Sequence, residues 1–74
     1  MRDKRQKFVD LAESRVTRLL NEVRLIGNLS NRNNYQYGAE DVARIFAAIE
    51  AEIRIARKRF DVATASDERQ FKLR

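Results

Sequence analysis

The sequence predicts an all-α fold, an antiparallel two-helix hairpin that dimerises into a four-helix bundle or assembles further. Apolar or small residues recur alternately three and four apart in two series. The first is Val9, Ala12, Val16, Leu19, Val23, Ile26; the second is Val42, Phe46, Ile49, Ile53, Ala56, Phe60, Ala63. That spacing holds successive side chains on one narrow stripe of an α-helix. Proline is absent, and the only two glycines, Gly27 and Gly38, bracket an asparagine-rich run between the two series. No β-branched alternation is long enough to argue for a strand.

The elements follow in order. Residues 1–65 form the hairpin. Its first helix spans about 3–26, opening at Asp3, whose carboxylate is suited to cap backbone N–H groups. It closes where Gly27 can take the left-handed C-cap conformation, although Leu29 continues the stripe and would allow an overrun of one turn. The loop covers about 27–38, long enough for the chain to fold back on itself. The second helix spans about 39–63, with Glu40 and Asp41 in its first turn and Arg57, Lys58 and Arg59 near its end, the signs the macrodipole prefers. Residues 66–74 turn polar and read as a tail or a short extra turn capped by Ser66.

Seventy-four residues are one domain at most, with a thin core. Histidine and cysteine are both missing, which removes the usual general base, the commonest transition-metal ligand and the thiol nucleophile. A non-enzymatic protein without cofactor or metal is expected. Adjacent acids such as Glu40 with Asp41 point to different sides of a helix and make no paired-carboxylate site. The apolar runs fall far short of the roughly 20 residues that cross a bilayer. The start, MRDKRQKF, lacks the apolar stretch of a signal peptide, so a soluble, cytoplasmic protein without a membrane partner is expected.

Several large apolar residues lie off the seams: Phe8, Leu11, Leu20 and Leu25 in the first helix, Ile45 and Ile55 in the second, with Ala48 beside them. A hairpin standing alone would leave them in water. A homo-oligomer is therefore expected, since a short chain with neither disulfide nor metal gains its missing core by association.

Two regions are candidates for binding. The loop, with Arg24 one turn before it, carries Asn28, Asn31, Arg32, Asn34, Tyr35 and Tyr37. Carboxamides offer donors and acceptors to base edges, tyrosine rings offer stacking faces, and guanidinium groups offer forked donors to phosphate. This set suits a small anionic, nucleotide-like ligand or a partner protein. The same asparagines also suit a purely structural turn. The second region is basic. Arg2, Lys4, Arg5 and Lys7 open the first helix, and Arg54, Arg57, Lys58 and Arg59 lie late in the second. In an antiparallel hairpin the two clusters would meet and present cations to nucleic acid. The balance of 16 Lys and Arg against 11 Asp and Glu, a net charge of +5, permits that partner without selecting it. A purely structural assembly unit is the third reading.

The stretch RLIGNLSNRNNYQY, followed by EDVARIFAAIEAEI and then KRF, resembles a group of small uncharacterised helical proteins carried by phages, plasmids and other mobile elements. The resemblance covers about residues 5–60. It implies an accessory role for a mobile element, through interference with a host protein or capture of a host signalling nucleotide. One departure is Gly38 at the start of the second helix, where Thr or Ser is expected.

Overall fold

The computed structural model describes the backbone of residues 3–72 and the side-chain surroundings of residues 3–65. The chain is all-α, with the helix–connection–helix order of a helical hairpin: α1 spans Lys4–Asn28 and α2 spans Ala39–Lys72. It divides into two units, Met1–Gln36 and Tyr37–Arg74, each built on one helix. No helix among the described residues is long and apolar enough to cross a membrane.

Helix α1 starts where the sequence places it. Asp3 is the N-cap, in extended conformation, and its Oδ1 accepts from the Arg5 N–H at 3.0 Å. Its carbonyl accepts from the Lys7 N–H at 3.0 Å and so begins the helical ladder. The first turn holds no acid. The Asp3 cap is therefore what opposes the unfavourable placement of Lys4, Arg5 and Lys7 at the positive pole of the helix.

The end of α1 differs from the expectation. Gly27 does not adopt a left-handed conformation; no glycine has positive φ, and the helix runs through Gly27 to Asn28, with Leu29 as a right-handed cap at φ −70°. The reason lies in the last carbonyls. The Leu29 N–H reaches the Ile26 oxygen at 3.0 Å and the Ser30 N–H reaches the Gly27 oxygen at 3.1 Å. These three-residue closures tighten the final turn and satisfy the acceptors without a left-handed residue. The connection is thus 29–38 rather than 27–38.

Helix α2 begins at Ala39, with Glu40 and Asp41 in its first turn. Gly38, lacking a side-chain acceptor, still has its own N–H satisfied, because Asp41 Oδ2 reaches back to it at 2.9 Å. This is the return half of a capping box, supplied by the third helical residue. At its other end α2 continues well past residue 63, and residues 66–72 extend the helix instead of forming a separate tail or turn. Nothing after Gly38 breaks a helix. The Thr64 hydroxyl donates to the Phe60 and Asp61 carbonyls at 3.0 and 3.1 Å, keeping its polar group inside the ladder. At about 1.5 Å per residue, the 25 residues of α1 span about 38 Å and the 34 of α2 about 51 Å.

Among the described residues no side chain is fully buried. Val9, Ala12, Ile26, Tyr37, Ile49 and Ala51 are half-buried, and the remainder are exposed. Seam residues remain open to water: Leu19 keeps 50% of its surface, Phe46 42% and Phe60 61%. Each helix carries an apolar stripe that its own unit does not cover.

Candidate functional site

The connection is built around Asn31. Its Oδ1 accepts from the Asn33 N–H at 2.9 Å, and its carbonyl accepts from the N–H groups of Asn34 and Tyr35 at 3.2 and 3.0 Å. Asparagine serves this purpose because its short carboxamide mimics a backbone acceptor two residues on. Residues 31–35 therefore form one tightly wound turn headed by its own cap. The Asn31 side-chain oxygen is committed to the backbone.

Arg32, Asn34 and Tyr35 ride on that turn and are exposed; Tyr35 keeps 49% of its surface. Arg24 and Asn28 lie four apart at the end of α1 and so share a face. These residues all belong to the first unit, whereas Tyr37, half-buried, opens the second.

The helix poles do not by themselves attract an anion here. The C-terminus of α1 concentrates partial negative charge, and the positive pole of α2 is occupied by Glu40 and Asp41. In the first unit, Arg24 and Arg32 carry the guanidinium groups suited to an anion, and Tyr35 carries a ring face suited to a planar group.

The basic residues fall into separate units. Arg2 lies outside the described residues. Lys4, Arg5 and Lys7 occupy the first turns of α1, with the Arg5 guanidinium 5.8 Å from the Phe8 ring centroid, a cation–π distance. One turn on, the Gln6 amide donates to Asp10 Oδ1 at 2.9 Å. In α2, Arg54, Arg57 and Lys58 line an open groove together with Asp61, Val62 and Ala65. Arg59 is not among those lining it. Asp61 adds a carboxylate one turn beyond Arg57 and Lys58, and Val62 and Ala65 add apolar surface to the lining.

Two features escaped the sequence reading. The return bond from Asp41 to Gly38 was signalled by an acid three residues after the cap, a pattern whose capping Ser or Thr is missing here. The groove on α2 was signalled by Val62 and Ala65, which fall outside the first seam. Among the described residues, no group of three or more Asp and Glu side chains is placed to hold a metal ion.

No protein family, no curated protein and no solved structure matches the chain.

Proposed function

We propose that the protein is a non-enzymatic binding module that self-assembles through its apolar stripes and holds a small anionic, nucleotide-like ligand on the turn after α1. The observation that carries this reading is the Asn31-capped turn. It fixes the backbone of residues 31–35 through three hydrogen bonds, so that Arg32, Asn34 and Tyr35 are displayed on a stiff support. Ordering such side chains in advance lowers the entropy lost on binding. Arg24 and Asn28, at the end of the same helix, complete the recognition set. Service to a mobile element, in a cytoplasmic setting, is the role consistent with the resemblance of the loop sequence.

A thermal-shift screen against mononucleotides, cyclic nucleotides and inorganic phosphate tests it. Ligand bound only to the folded state stabilises by RT ln(1 + [L]/Kd), so at 100 times Kd the gain is about 2.7 kcal/mol. The gain should disappear in Arg32→Ala and Tyr35→Ala. Melting temperatures of these variants that fall sharply without ligand would instead make the residues scaffolding.

A second reading, nucleic-acid binding, is favoured by Arg54, Arg57 and Lys58 sharing one groove. It predicts affinity for short DNA or RNA that falls steeply with salt. An affinity that stays level between low and moderate salt eliminates it.

A further inference from the structure

Helix α2 carries a second heptad stripe in addition to the seam through Val42 and Phe60. Ala48, Ala51, Ile55, Lys58, Val62 and Ala65 are also spaced alternately three and four apart. At about 100° per residue, the centres of the two stripes lie about 160° apart around the helix. One neighbouring helix covers one stripe. Ile55 and Val62 keep 54% and 59% of their surface, and Lys58, Val62 and Ala65 form part of the groove described above. The length of α2 points the same way, because α1 at 25 residues cannot cover all of a 34-residue helix in any arrangement.

We infer that this second stripe is the docking face for α2 of another copy of the chain, packed antiparallel about a twofold axis between positions 56 and 57. The charges beside the stripe select both occupant and direction. In an antiparallel pair, layers form from Ala48 against Ala65, Ala51 against Val62, and Ile55 against Lys58 of the other copy. Small residues at the outer layers let the helices approach closely, and the Lys58 stem lies across Ile55 with its ammonium reaching water. On one flank Glu52 then faces Arg59 of the other copy, and on the opposite flank Arg54 faces Asp61. Symmetry repeats each contact, giving four opposite-charge pairs. A parallel pair would set Lys58 against Lys58 and Arg54 beside Arg59, and would leave Glu52 and Asp61 with no cation opposite them. The stripe is therefore complementary to itself in one direction only. This contact deepens the assembly proposed above and is separate from the ligand-binding turn.

The experiment is a charge-swap series read by sedimentation equilibrium, with helicity followed by circular dichroism. Glu52→Arg alone, or Arg59→Glu alone, sets two like-charged contacts in each pair. Either should lower the assembly mass to that of a smaller species and raise the dissociation constant about tenfold or more. The combined E52R/R59E variant should restore the wild-type mass. R54D, D61R and their combination give an independent second cycle on the other flank. Where a single variant also loses helicity, recovery of helicity and mass together in the combined variant supports the contact. Absence of recovery in both cycles overturns it, as do single swaps that leave the mass unchanged. A wild type that sediments as a monomer overturns this contact together with the assembly reading. Unchanged mass in a wild type that is already oligomeric overturns this contact alone.

Discussion

Replacing Phe46 with alanine separates a chain that completes its core by association from one whose exposed apolar residues are incidental. Phe46 sits in the first seam of α2 and keeps 42% of its surface exposed within the chain. Full burial of a large apolar side chain is worth about 1.5–3 kcal/mol, so hiding the exposed 42% contributes about 0.6–1.3 kcal/mol per copy. A symmetric dimer that also covers the first seam hides it twice, for about 1.3–2.5 kcal/mol, which corresponds to about a 10- to 70-fold weaker dissociation constant in Phe46→Ala. The cavity left in the interface would add to this. Sedimentation equilibrium over a dilution series measures the constant, with helicity recorded at each concentration. A residue that stays exposed in the working protein would instead shift stability by no more than about 0.5 kcal/mol. A dissociation constant for Phe46→Ala within twofold of the wild type would refute the reasoning, as would a wild type that is a folded monomer at micromolar concentration.

Other substitutions report on the local devices. Asn31→Ala removes the acceptor for the Asn33 N–H and should cost about 0.5–2 kcal/mol by chemical denaturation, the magnitude of a lost cap, whereas Asn34→Ala should cost far less. Asp3→Ala should cost about 1 kcal/mol through the frayed start of α1, visible as faster amide exchange over residues 4–7. Gly38→Ser should stabilise by a few tenths of a kcal/mol by completing the capping box, since a Cβ there meets nothing within 4 Å. Its melting temperature should then depend on Asp41 less than the wild type's does.

The fold class was legible because side-chain periodicity is a global property of each helix, repeated over six or seven residues, and no local error erases it. Asp3 and the Glu40–Asp41 pair were legible for a related reason: a cap is a short-range interaction between residues a few positions apart. The helix ends were less so. Gly27 offers a left-handed cap, but the closures from Leu29 and Ser30 satisfy the same carbonyls with residues already in right-handed geometry. Alternatives this close in free energy are not separated by residue type alone. The extension of α2 to Lys72 was obscured by polarity after Ala63, which on a helix surface is no obstacle to continuing. In the candidate site, composition marked the loop without dividing its labour. Four asparagines look alike in sequence, and only geometry shows that Asn31 holds the turn while Asn34 is displayed by it. The basic clusters were legible as residues, whereas their meeting depends on packing between the two units, which periodicity does not specify.

Among the described residues no side chain is fully buried, and a chain that gains its core by association, as proposed above, changes what a melting temperature means. If folding and assembly are one equilibrium, stability rises with protomer concentration, and variants must be compared at equal concentration. Two substitutions then diverge in an instructive way. Gly27→Ala acts inside α1, where the glycine is helical and an added Cβ meets nothing within 4 Å. Its gain of about 0.8–1 kcal/mol arises from backbone propensity and belongs to each chain separately. Phe46→Ala acts instead on apolar surface of the first seam, 42% of which the chain itself leaves exposed. On dilution, the Gly27→Ala protein should keep its helicity to lower concentrations than the wild type. The Phe46→Ala protein should lose its helicity at a concentration about 10- to 70-fold higher than the wild type, in step with its dissociation constant. Helicity of the wild type that does not change over a thousandfold dilution would show that each chain folds alone, and the apolar stripes would then need an explanation other than assembly.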